Sequence, residues 1–121
     1  MNLFQFDRKI SWCLAFLVLA IFTVALFADV LFSKNLVLSG DSMDSAKQFF
    51  YWRDFGFSQL KQGNLALWNP HIFSGAPFMG GFQSALLYPP NILYLLFPVS
   101  KAINISIALH VLLIGFFMYL W

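Results

Sequence analysis

The chain has 121 residues, of which 60% are hydrophobic, 20% aromatic and only 10% charged; its formal net charge is +2 and it contains no glutamate. Soluble domains carry about 25% charged residues, so this sequence has too little polar surface to coat a water-soluble globule, and it reads as a membrane protein of at most one modest domain. The seven basic residues are scattered, which excludes the basic stripe of a nucleic-acid binder.

Residues 1–9 form a short N-terminus. Ile10 to Ala28 then runs without charge, Pro or Gly. At about 1.5 Å per residue it covers roughly 28 Å, close to the thickness of the hydrocarbon core. Extended by a partial turn, residues 10–31 are predicted as the first transmembrane helix. A cleaved signal peptide fits less well, because its apolar core is usually about 7–15 residues and ends at an A-x-A site; Ala25 and Ala28 are three apart. The lone Cys13 lies in this run, has no partner for an internal disulfide, and reads as a packing residue.

Residues 32–100 form a long loop. Basic residues are nearly balanced on the two sides of the first span, so charge bias decides orientation only weakly. A cytoplasmic N-terminus and an extracytoplasmic loop are expected. Within it, "SGDSMDSAKQFFYWRDFGFSQLKQGN" opens on helix-start chemistry. Asp44 or Ser45 caps a helix running to about residue 62, which Gly63 ends. Its apolar positions cover more than one stripe, and its Trp and Tyr suit the bilayer interface. Leu65 to Gly81 is rich in turn residues, with Asn69–Pro70 and Gly75-Ala76-Pro77 setting the bends. Trp68, Phe73 and Phe78 are placed to anchor that irregular backbone against lipid or neighbouring helices. A short helix over about 91–97, too short to cross the bilayer, stops at Pro98.

Residues 101–121 are predicted as the second span, with Ser100 as its N-cap. His110 lies inside it, where a neutral imidazole hydrogen-bonded to another helix is expected, and Gly115 would allow close helix approach. The fold class expected is an all-α membrane protein, two spans joined by a loop with juxtamembrane helices. The apolar run reaches Trp121 without a flanking charge, as in the front piece of a longer polytopic protein.

Few residues carry chemistry. Asp41, in "LSGDSMD", follows the membrane exit; an aspartate in water, with pKa about 3.9, is ionised and can take a proton from a sugar hydroxyl or hold a divalent cation. The competing reading of Asp41, and more so of Asp44, is a helix cap. Arg53 could grip a lipid phosphate through two contacts or be an exposed interfacial charge. His71 could bind phosphate or a sugar hydroxyl, or hydrogen-bond within its loop. No phosphate loop, Ser-His-Asp set, metalloprotease motif or zinc-ligand spacing is present.

The ordered series Gly63, Leu67-Trp68-Asn69-Pro70, Phe73-Ser74-Gly75, Pro77-Phe78 and Tyr88-Pro89, between "LSGDSMDSAKQFFYW" and "LHVLLIGFFMYL", resembles the N-terminal region of the YfhO-like bacterial membrane proteins of the GT-C glycosyltransferase superfamily. The resemblance covers roughly residues 36 to 120. It implies a multi-pass enzyme of the bacterial cytoplasmic membrane with many more spans. Its donor would be a polyprenyl-phosphate-linked sugar and its acceptor a cell-envelope polymer. Asp41 matches the family's acidic loop residue, with Asp44 close enough to be confused with it. The resemblance also implies that the groove for donor and acceptor is built largely by further transmembrane helices, so that residues 1–121 alone would be inactive. A divalent cation stays open: a lipid monophosphate needs less charge neutralisation than a diphosphate. Two other readings remain: a small two-span protein binding a partner or lipid through its aromatic loop, and the front of a transporter.

Overall fold

Two apolar helices run antiparallel, and the long connection between them folds back onto the second. The computed structural model describes residues 8–34, 36–40 and 44–121, apart from the side chains of Arg8, Lys9, Ser45 and Ala46. The chain is mostly helical. The first apolar run forms α1 (Arg8–Leu26) and α2 (Ala28–Phe32). The single helix expected over 10–31 is thus divided at Phe27, whose backbone leaves the α region (φ −103°, ψ 13°). Hydrogen bonds from Phe27 N–H to Thr23 C=O (3.0 Å) and from Leu31 N–H to Phe27 C=O (2.9 Å) carry the helical ladder across the interruption.

The last helix, α5 (Val99–Leu120), is long and apolar enough to cross a membrane; α1 contributes a shorter apolar stretch, Ile10–Leu26. Ser100 is not its cap. Pro98 occupies that position without a side-chain cap, and its carbonyl accepts the Ala102 N–H at 2.9 Å. Proline is suited there because its fixed φ is compatible with helix entry and it has no N–H to lose.

Contacts at both ends and in the middle fix the antiparallel pairing. Ser11 Oγ and Tyr119 Oη lie 2.7 Å apart, Phe16 meets Phe116 edge to face at 5.2 Å, and a Cβ added at Gly115 would lie 3.4 Å from Leu19. A polar pair and a small residue thus meet between the helices, where small residues let helices approach closely. Away from the seam, Leu14, Leu17, Ile21, Phe22 and Leu26 of α1 and Ile114, Phe117 and Met118 of α5 are exposed. Cys13 is exposed with them, a correction to its expected packing role; it lies off the Ser11, Ala15, Leu19, Thr23 stripe that faces α5.

At the other end, buried Asn104 clamps the chain that leaves α2. Its amide nitrogen donates to Val30 C=O (3.0 Å) and Leu36 C=O (2.8 Å), and its Oδ1 accepts Leu38 N–H (2.9 Å). Lys101 Nζ donates to Leu31 C=O. A helix C-terminus leaves its last carbonyls without partners, and here two side chains of α5 supply them, the lysine with favourable charge for that end of the dipole.

The connection holds a π-helical turn (Ser45–Phe49) that runs into α3 (Phe50–Lys61). Gly63, at φ +80°, ends it as expected. Gly63 N–H bonds Leu60 C=O (3.0 Å) and Asn64 N–H bonds Gln59 C=O (2.9 Å), the paired pattern of a Schellman end. Two short strands follow, β1 (Trp68–Asn69) and β2 (Ala76–Pro77), antiparallel with Trp68 opposite Pro77 and Asn69 opposite Ala76. A 3₁₀ turn (Pro89–Ile92) leads into α4 (Leu93–Leu96), where one helix over about 91–97 was expected. One core joins these pieces: Phe57 of α3, Ala66, Phe78 and Leu86 of the loop, Tyr94 of α4, and Ala102 and Ile103 of α5.

Candidate functional site

α3 has two working faces, which is why its apolar residues form no single stripe. Gly56 and Phe57 are buried against the core, with Phe50 and Leu60 beside them. A second face carries Tyr51, Phe55 and Ser58, at the three- and four-residue spacing that places side chains on one side of a helix, and Asp44 and Gln48, before and within the π-helical turn, extend it. It forms one wall of a cleft of about 860 Å³, joined by Lys47, Trp52, Asp54 and Gln59. π-helical turns are rare and often occur at functional sites. This one supplies Lys47 and Gln48 to the cleft.

The hairpin supplies the other wall through Asn69, His71, Ile72 and Phe73. Buried Asn69 accepts the His71 N–H on its Oδ1 at 2.9 Å, a side-chain turn that sets the bend after Asn-Pro. The tip returns through three residues of positive φ: Phe73 (49°), Ser74 (60°) and Gly75 (110°). Such conformations are uncommon for residues with a Cβ. Gly75 is further constrained because a Cβ there would lie 2.6 Å from Trp68 Nε1. The result holds Phe73 almost wholly exposed, at 93%. Phe78 turns the other way, edge to face with Phe55 (5.1 Å) and Trp52 (6.5 Å), and Phe55 also meets the His71 ring at 5.5 Å. Of the three expected aromatic anchors, Phe78 is therefore internal, Trp68 covers Gly75, and Phe73 projects.

The sequence-derived site residues separate. Asp44 and His71 both line the cleft. Arg53 does not: its Nη1 donates to Gln83 C=O (3.1 Å) and Ser84 C=O, and its guanidinium lies over the Phe49 and Tyr94 rings at 6.0 and 5.8 Å. Its charge staples the loop at 83–84 to α3 and α4. Asp41 lies outside the described residues. Spacing alone did not single out Asp54, Lys47 and Tyr51 as partners in one cleft, although their positions relative to Asp44 carried the signal. The Tyr94 phenol is pushed above its ordinary value of 10 by burial, an effect its hydrogen bond and attraction to Arg53 partly offset. Tyr94 stacks on Phe57 with centroids 4.9 Å apart.

Chemically, the cleft combines two carboxylates, three side-chain amides, two hydroxyls, an imidazole and an ammonium with four aromatic rings. Carboxylates and amides exchange hydrogen bonds with hydroxyl groups, and flat rings offer apolar faces to the C–H side of a sugar. Among the described residues, no group of three or more His, Cys, Asp or Glu is placed to hold a metal ion. No family model, curated protein or solved structure matches the chain.

Proposed function

We propose that this chain is the N-terminal part of a multi-pass membrane glycosyltransferase of the bacterial cytoplasmic membrane, transferring a sugar from a polyprenyl-phosphate carrier to a cell-envelope acceptor. In this reading α1–α2 and α5 both cross the bilayer, with the connection outside the cell. The observation that carries it is the cleft: an aromatic-walled, carboxylate-bearing groove in the polypeptide that leaves one apolar helix and enters another. The resemblance of residues 36–120 to the YfhO-like proteins points the same way.

The chemistry needs an acceptor hydroxyl to attack the anomeric carbon as the lipid phosphate departs. Asp41 is assigned as the general base that receives the hydroxyl proton, with Asp44 as the alternative. Lys47 and His71 offer donors for the phosphate, and Tyr51 and Phe55 a surface for the sugar ring. Further spans would complete the groove. A general base contributes about 10²–10⁴-fold, so Asp41→Asn or Asp44→Asn in the full-length protein should lose that much sugar transfer from a polyprenyl-phosphate donor while expression is unchanged. Near-normal transfer by both variants would remove the carboxylates from the mechanism. The exposed Phe73 favours a second reading, a docking loop for a partner protein. A Phe73→Ser variant that keeps transfer but loses a copurifying partner would support that instead.

A further inference from the structure

We infer that residues 85–98 form a re-entrant hairpin that dips below the outer membrane surface alongside α5, and that its outer face touches lipid chains. The inference goes beyond the transferase proposal and does not need its chemistry; it rests only on α1–α2 and α5 crossing the bilayer as a pair.

The argument starts from register. Lys101 and Tyr119 of α5 mark the two ends of the helix pair, through Leu31 and Ser11. Eighteen steps at about 1.5 Å separate them by roughly 27 Å, close to the hydrocarbon thickness. His110 lies between. Its Nδ1 is 2.6 Å from Ser106 C=O, which can only accept, so Nδ1 carries the proton. In the neutral ring Nε2 then accepts the Tyr88 hydroxyl at 2.7 Å. His110 lies nine steps, roughly 13 Å, beyond Lys101 along α5. Tyr88 therefore reaches well inside the layer that the helix pair spans.

From Tyr88 the 3₁₀ turn and α4 climb back towards Pro98. Four residues at about 2 Å and four at about 1.5 Å give roughly 14 Å, enough to return to the start of α5. The composition fits this depth: residues 85–98 contain no charge, and their polar side chains are all engaged. Tyr88 is held by His110, the Asn91 amide donates to Ala85 C=O at 2.7 Å, and Tyr94 meets Arg53 at the upper end. Among the described residues no buried side-chain nitrogen or oxygen lacks a partner. Non-helical backbone is tolerated at membrane depth where it is buried in protein; here Leu86 and Asn91 are buried, and the Ala85, Tyr88 and Asn91 N–H groups bond the carbonyls of Phe82 (2.9 Å), Ala85 (3.2 Å) and Tyr88 (2.9 Å). What points outward is apolar: Leu87, Ile92 and Leu96 are exposed. Beside a helix whose own outer face meets hydrocarbon, the occupant that fits them is the acyl chain of a bilayer lipid.

Single nitroxide labels test this in the full-length protein, reconstituted in phosphatidylethanolamine–phosphatidylglycerol vesicles on a Cys13→Ser background. Leu87→Cys and Ile92→Cys are compared with Ile114→Cys on the span and Gln62→Cys at the end of α3. Labels at 87 and 92 should collide with oxygen about tenfold more readily than with a water-soluble nickel chelate, matching 114 and opposite to 62. Chelate access at 87 and 92 equal to that at 62, with 114 still in lipid, would overturn the hairpin's depth and leave the spans standing. Shielding from both probes would overturn the lipid contact. A water-exposed 114 would overturn the inference together with the spanning pair.

Discussion

Replacing Asn104 by leucine removes a buried side chain that ties the exit of the first helix to α5. Leucine keeps the branched skeleton of asparagine without its polar atoms, so the change tests hydrogen bonding more than side-chain shape. Asn104 is 1% exposed and makes three hydrogen bonds, to Val30, Leu36 and Leu38. A typical net bond contributes about 0.5–1.5 kcal/mol, and a buried group left without a partner costs about 1–3 kcal/mol. Interhelical bonds within lipid average only about 0.6 kcal/mol. Because Leu36 and Leu38 are exposed and water can reach part of the clamp, the lower figures apply, and three bonds sum to about 1.5–2 kcal/mol. Unfolding of detergent-solubilised protein by rising SDS, followed by circular dichroism, should shift by that amount, and limited proteolysis should cut within 33–40 before any other segment. Asn104→Asp gives an internal control. Its side chain could still accept Leu38 N–H but would lose the amide donor to Val30 and Leu36 C=O, so this variant too should be less stable than wild type in the same titration. Asn104→Leu within about 0.5 kcal/mol of wild type would refute the clamp.

Gly56→Ala places a Cβ 2.6 Å from Leu86 and 2.9 Å from Phe78, and should destabilise by about 1–3 kcal/mol through overpacking, read by the same titration. Arg53→Met keeps the stem but leaves the carbonyls of Gln83 and Ser84 without their charged donor; about 1.5–3 kcal/mol should be lost, with faster amide exchange at 82–88 in mass-spectrometric hydrogen exchange. Burial raises the Tyr94 pKa, so the folded state holds that proton more tightly than the unfolded chain. Its contribution is complete below pH 10 and is lost as pH climbs through the raised value; Tyr94→Phe should flatten the alkaline limb of a stability–pH curve. Gly75→Val forces a side chain against Trp68 at positive φ, and an altered Trp fluorescence with lower affinity for a polyprenyl-phosphate sugar should report displacement of the hairpin wall.

How much of this was legible in the sequence differs by element, for physical reasons. The two apolar runs announced themselves as helices because each is long and uninterrupted by charge or proline, and Gly63 marked the end of α3 because a left-handed residue there favours glycine. The hairpin at 68–77 was read only as turns. Its ladder is two residue pairs long, too short for an alternating pattern to register, and its shape is fixed by Asn69 bonding His71 and by Trp68 over Gly75. Asn104 and Lys101 gave no local signal, since their partners lie 66–74 and 70 residues away in the chain. His110 was expected to bond another helix. Its partner is the tyrosine of the Tyr-Pro-Pro loop, reachable only because that loop lies against α5. Asp44 and His71 were picked out by residue type. That the fold places both on one cleft follows from a register no spacing rule supplied.

The cleft and the helix pair also form one mechanical unit. Phe78 touches Trp52 and Phe55, which line the cleft, and lies in the core with Phe57 and Tyr94. The same core reaches Ala102 and Ile103 of α5, beside the Asn104 clamp. A rotation of α5 by even a fraction of a turn would have to move Tyr94, then Phe57 and Phe78, because close-packed interiors transmit displacement rather than absorb it. A displacement of α5 would thus be felt at Phe55 and, through it, at His71. The aromatic stretch between the two apolar runs couples the position of α5 to the cleft wall.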